Sequence, residues 1–197
     1  MNAVANFTPE EIALPSLSKG RVGMACLIIA ESAIFMIFVV AYLFYLGKSL
    51  NGPTPRQVLE LPIVNTICLL SSSVTITFAV RALGRGRKDR FRLWWFATIA
   101  LGTYFLLGTG REWLRLIHRY GLTISSNLFG TTFYSLVGLH ASHVVVGLVA
   151  LLLVMTFAVR GAVKTQDTER IEVLALYWHF VDAVWVVVFT VVYLIGR

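Results

Sequence analysis

Long apolar runs separated by short polar connections dominate the chain. Five runs stand out, at roughly 22–46, 60–81, 91–117, 130–159 and 172–195. Each reaches the ~20 residues that a helix needs to cross ~30 Å of hydrocarbon. Inside a bilayer every backbone N–H and C=O must be satisfied within its own segment or in a closed barrel. Barrel strands would be about ten residues long and alternate strictly between apolar and polar, and no run does so. The pattern predicts an all-α polytopic membrane protein, a bundle of five transmembrane helices over residues 21–197 behind a short polar tail, 1–20. The first run does not read as a cleaved leader. It is too long for the apolar part of a signal peptide, Glu10 and Glu11 precede it, and no small-x-small site follows. No internal repeat or low-complexity tract suggests another domain.

Composition agrees with this reading. The 197 residues are 57% hydrophobic and only 14% charged, whereas soluble domains carry about 25% charged residues. The formal charge of +7 raises the question of nucleic acid, and its placement answers it. Lys19 and Arg21 precede the first run, Arg81 to Arg92 crowd the connection between the second and third, and Arg160, Lys164 and Arg170 mark the last connection. All lie on one side, with fewer basic residues opposite (Lys48, Arg56, Arg115, Arg119 and Arg197). The positive-inside rule predicts a cytoplasmic N-terminus and a periplasmic C-terminus. The charge is topogenic and suited to anionic headgroups, not to nucleic acid. Cys26 and Cys68 fall in separate runs without a C-x-x-C partner and are expected to be buried apolar fillers.

Ionisable side chains inside a bilayer are costly and call for a partner. At 1.5 Å per residue, Glu31, His140 and Asp182 each fall ~15 Å into their spans, near the midplane. His140 and His143 are three apart, as are His179 and Asp182, so each pair is expected to share a helix face. An aspartate one turn from a histidine can orient its ring. Small residues around the histidines, and Ser71, Ser72, Ser73, Thr75 and Thr77 in the second run, favour close helix approach. Two readings of these groups remain open: a bis-histidine haem between His140 and His179, or a layer of mutually satisfied polar groups that fixes helix packing. Arg111, Glu112 and Arg115 form a separate group at the end of the third run, expected to be a surface ion-pair cluster.

Five stretches also resemble one family. These are RVGMACLIIAESAIF (21–35), LPIVNTICLLSSSVTI (61–76), GTYFLLGTGREW (102–113), FGTTFYSLVGLHASHVVVG (129–147) and ALYWHFVDAVWVVVF (175–189). In this order they are similar to subunit III of the haem–copper respiratory oxidases, in its five-helix bacterial form. Leu139, Ala141 and Ser142 depart from the residues usual around the paired histidines.

The resemblance implies a non-catalytic subunit of a proton-pumping terminal oxidase in a bacterial inner membrane, with cytochrome c oxidase as the first expectation. It implies that the chain binds no cofactor or metal, haem and copper being held by partner subunits. It implies packing against subunit I, assembly with subunit II and possible small subunits, retention of structural phospholipids and support of proton uptake. Glu31, His140, His143, His179 and Asp182 match the family's buried polar positions, and Arg160 is placed to hold a lipid phosphate. The same role in a quinol oxidase, or as an accessory subunit of a nitric oxide reductase, is the alternative. A haem-binding membrane enzyme and an independent transporter using Glu31 and Asp182 are the readings from other classes.

Overall fold

The computed structural model describes residues 18–49 and 52–196. Most of the tail 1–20 lies outside the described residues, as does Arg197. Among the described residues the chain is helical, with five helices long and apolar enough to cross a membrane. Helix α1 runs Lys19–Tyr45, α3 Ile63–Gly84, α4 Lys88–Tyr120, α5 Leu128–Val159 and α6 Thr168–Phe189; a single turn, α2 (Pro55–Val58), sits in the first connection. The last helix is led by a 3-10 turn, Thr165–Asp167, and continues as a π-helical turn, Thr190–Ile195.

The ends follow local chemistry. Ser18 caps α1 by accepting from the Arg21 N–H at 3.4 Å, and Asn127 caps α5 by accepting from the Gly130 N–H at 2.7 Å, each satisfying a donor that the first helical turn leaves free. The second span starts at Ile63, three residues later than the apolar run, because Pro62 holds the position just before the helix; its missing N–H and fixed φ suit a helix start. The third span extends three residues beyond the run at each end, since Lys88 to Arg90 and His118 to Tyr120 remain helical where the apolar pattern has stopped. Gly86, at φ 71°, allows the sharp reversal between α3 and α4, a left-handed conformation that costs glycine little.

Helix α6 is the centre of the bundle. It packs against α1, α3 and α5, while α1 also meets α5 and α4 joins α3 to α5. Half of the most apolar window of α6 is buried, against 11% for α1. The outward faces carry large apolar side chains such as Ile29, Ile37, Leu93 and Val159, as expected of helices facing acyl chains rather than water. Cys26 is on this outward face and Cys68 is half-buried; both are free thiols. The expectation that Cys26 is buried is therefore corrected: in lipid an apolar side chain is as well placed outside the bundle as within it.

Buried tryptophans tie the helices together at stated atoms. The Trp178 indole N–H donates to Ser72 Oγ at 2.8 Å, that of Trp95 to the Leu151 carbonyl at 2.9 Å, and that of Trp185 to Thr66 Oγ1 at 3.2 Å. Trp178 lies against Gly102 of α4 and Gly147 of α5, so four helices meet at one ring. Small residues at such points let side chains of neighbouring helices seat against the backbone.

Candidate functional site

The polar side chains inside the bundle resolve into separate contacts rather than one cluster. On the α1–α5 seam, His143 Nε2 lies 3.1 Å from Glu31 Oε2, and His143 Nδ1 lies 2.8 Å from the Leu139 carbonyl. Phe35 stands beside the same imidazole, ring centres 5.0 Å apart. Glu31 is thus paired with His143, one turn along α5 from the His140 with which it shares a depth.

His140 takes a different environment. It is 1% exposed, tilted against Trp185 at 5.0 Å and edge-on to Phe105 at 5.8 Å. Neither ring nitrogen has a hydrogen-bond partner among the described residues. A spacing of three turns two side chains about 60° apart on a helix, enough here to send His143 towards α1 and His140 between α4 and α6. The shared face expected for this pair divides between two seams.

His179 and Asp182 do work together, through a residue on another helix. Ser73 of α3 donates its hydroxyl hydrogen to Asp182 Oδ2, and its Oγ lies 2.9 Å from His179 Nδ1. The spacing of three puts both α6 side chains on the α3 face, and the serine-rich stretch supplies the hydroxyl between them. Thr77 Oγ1 lies 3.5 Å from His179 Nε2. Asp182 is 3% exposed and its Oδ1 has no partner among the described residues. His140 and His179 face α4 and α3 respectively, so the two imidazoles are not opposed across a shared space. Among the described residues, no group of three or more His, Cys, Asp or Glu side chains converges as metal ligands would.

The third group lies at the far end of α4. Glu112 accepts from the buried Tyr193 hydroxyl at both carboxylate oxygens, 3.1 and 3.0 Å. Arg115 forms its ion pair with Glu60, just before α3, and not with Glu112. Arg111 shares with Glu60, Asn65, Glu112 and Arg115 the lining of a cavity of about 370 Å³. The three residues are neighbours, but the carboxylate between the arginines is held by a tyrosine. Glu60 and Tyr193 escaped the sequence reading because the first stands at the very edge of the second apolar run, in what folds as the connection before α3, and the second lies at the end of the last helix. A buried tyrosine on a terminal apolar segment was the available signal.

Comparison with known proteins decides what this set of helices is. The family described as cytochrome c oxidase subunit III matches residues 13–197, nearly the whole chain. The chain belongs to the cytochrome c oxidase subunit III family. It is 34% identical over 168 residues to "Cytochrome c oxidase subunit 3" of Alkalihalophilus pseudofirmus, covering 84% of this chain and 82% of that protein. The Bacillus subtilis protein of the same name is 31% identical over 191 residues, 96% of this chain and 92% of its own length. The Synechocystis protein is 38% identical over 177 residues, 88% and 74% of the two chains. As a member of the subunit III family, the chain is a multi-pass membrane protein and part of a multisubunit oxidase. All five stretches that carry the resemblance lie within the matched span.

Proposed function

We propose that this chain is a non-catalytic subunit III of a proton-pumping haem–copper terminal oxidase in a bacterial inner membrane. It packs against subunit I, assembles with subunit II, retains phospholipids and supports proton uptake, while haem and copper are held by the partner subunits. The near end-to-end match to subunit III sequences carries this reading. The contacts inside the bundle are consistent with it: Glu31 is engaged by His143, Asp182 by Ser73, and His140 is enclosed by Phe105 and Trp185. Groups arranged in this way tie neighbouring helices together at fixed positions.

In this arrangement the N-terminus and the α3–α4 and α5–α6 connections are cytoplasmic, following the excess of Lys and Arg there. Arg160, exposed at the end of α5, offers a planar guanidinium to a lipid phosphate. Because the relatives are named cytochrome c oxidase subunit 3, cytochrome c is the expected electron source. The test is purification through a tag on this chain from the membranes that make it. Co-purification of a haem-bearing subunit I and a copper-bearing subunit II, with cytochrome c oxidation by the complex, is the expected result. A chain that purifies alone, or with partners lacking haem and copper, overturns the proposal.

A further inference from the structure

At the α1–α3–α6 corner a cavity of about 380 Å³ opens at the basic end of the bundle, lined by Arg21, Thr77, Arg81, Glu172 and His179. Arg21 is held by Glu172 at 2.5 Å; Arg81 is exposed and has no ion-pair partner among the described residues. The imidazole of His179 forms the inner wall. Behind it, Ser73 Oγ stands 2.9 Å from His179 Nδ1 and bonds Asp182 Oδ2. A continuous file of exchangeable groups therefore runs from a space large enough for several waters to a carboxyl group that is 3% exposed.

We propose that Asp182 is a proton-exchange site, reached from the basic end of the bundle through His179 and Ser73. In the starting arrangement the His179 Nδ1–H donates to Ser73 Oγ and the Ser73 O–H donates to the Asp182 carboxylate. A hydronium ion in the cavity delivers a proton to the Nε2 lone pair, to which Thr77 does not donate because its hydroxyl hydrogen is on the Ser73 carbonyl, and leaves a neutral water. The Nδ1 proton then passes to Ser73 as the Ser73 proton passes to Asp182 Oδ2. Asp182 ends as a neutral acid, Ser73 is again a hydroxyl, and His179 is neutral with its hydrogen on Nε2. One proton has crossed from the cavity to the carboxyl, and reversal of the same steps releases it.

The surroundings suit this exchange. From α3, Ser73 and Thr77 hydrogen-bond to His179 or Asp182, and Arg81 lies at the rim. From α1 the nearby charge is Arg21, occupied by Glu172 of α6. From α5, His140 faces Phe105 and Trp185 while His143 faces Glu31. Among the described residues no cation forms an ion pair with Asp182, so protonation is the means by which its buried charge can be neutralised. Thr77 donates to the Ser73 carbonyl at 2.8 Å, so its oxygen, 3.5 Å from His179 Nε2, can accept from that nitrogen once it is protonated but does not donate to its lone pair.

The test is infrared difference spectroscopy on the purified complex containing the full chain, following the carbonyl stretch of protonated carboxyl groups as pH is lowered and as H₂O is exchanged for D₂O. The proposal expects an acid band that Asp182→Asn removes and Asp182→Glu displaces. Ser73→Ala and His179→Leu should keep the band but slow its deuterium exchange by at least about tenfold, and Ser73→Thr, which retains a hydroxyl, should restore the rate. A spectrum with no band responding to Asp182→Asn or Asp182→Glu would overturn the assignment. Unchanged exchange in Ser73→Ala and His179→Leu would overturn the route.

Discussion

The packing of Trp178 yields the sharpest stability prediction. Its ring is fully buried and meets Gly102 of α4 and Gly147 of α5. A Cβ at position 147 would lie 2.8 Å from Cε3 and Cζ3 of the indole; one at position 102 would lie 2.8 Å from Cη2 and 3.1 Å from Leu148 Cδ2. Ordinary contact begins near 3.4 Å, so either alanine must open the interface by roughly 0.6 Å. The indole has little freedom to yield, because its N–H is fixed on Ser72 of α3. Overpacking of this kind costs about 1–3 kcal/mol, with each 1.4 kcal/mol worth about tenfold in the folded-to-unfolded ratio.

Gly147→Ala and Gly102→Ala should each lower the midpoint for loss of the chain from the complex, measured by native electrophoresis after graded heating or denaturing detergent. Trp178→Phe should relieve either alanine in part, because the smaller ring withdraws the atoms that clash. The double change should then cost less than the sum of the single changes. Wild-type midpoints in both alanine variants would refute the steric reasoning. Strict additivity with Trp178→Phe would show that the damage arises elsewhere.

Three other outcomes follow from individual contacts. Glu31→Gln retains a group able to bond His143 and should leave assembly intact by native gel, whereas Glu31→Leu strands the imidazole and should cost about 1–3 kcal/mol. Tyr193→Phe removes the donor to both oxygens of Glu112 and should destabilise the chain by a similar about 1–3 kcal/mol in the same heating assay; an unchanged midpoint would show that another donor takes over. Arg160→Ala should reduce the phospholipid retained by the complex in native mass spectrometry, and full retention would remove that residue from the lipid contacts.

Much of this architecture was legible because a bilayer imposes one strong rule. Twenty apolar residues must be a helix, so five runs gave five helices, and only their ends needed local chemistry. Pro62 delayed one start, and charged residues at both ends of α4 extended another helix past its apolar run. The positions of the ionisable residues were legible too, since a carboxylate or imidazole among Leu and Val announces itself. Their partners were not. Periodicity gives the face of a helix to about a third of a turn, which places His179 and Asp182 together but cannot say that Ser73 bridges them. The same tolerance let His140 and His143 share a nominal face while their rings went to different helices. Pairings such as Arg115 with Glu60 and Glu112 with Tyr193 depend on how α3, α4 and the end of α6 are juxtaposed. That is a tertiary fact with no local signal.

We propose that the imidazoles and carboxylates of this chain hold helices and protons while electrons travel elsewhere in the complex. The visible spectrum of the separated chain tests it most directly, after purification of the intact oxidase and gentle removal of this polypeptide. The expected result is a haem signal that stays wholly with the remaining subunits. A Soret band that travels with the separated chain and vanishes in His140→Ala or His179→Ala would contradict it.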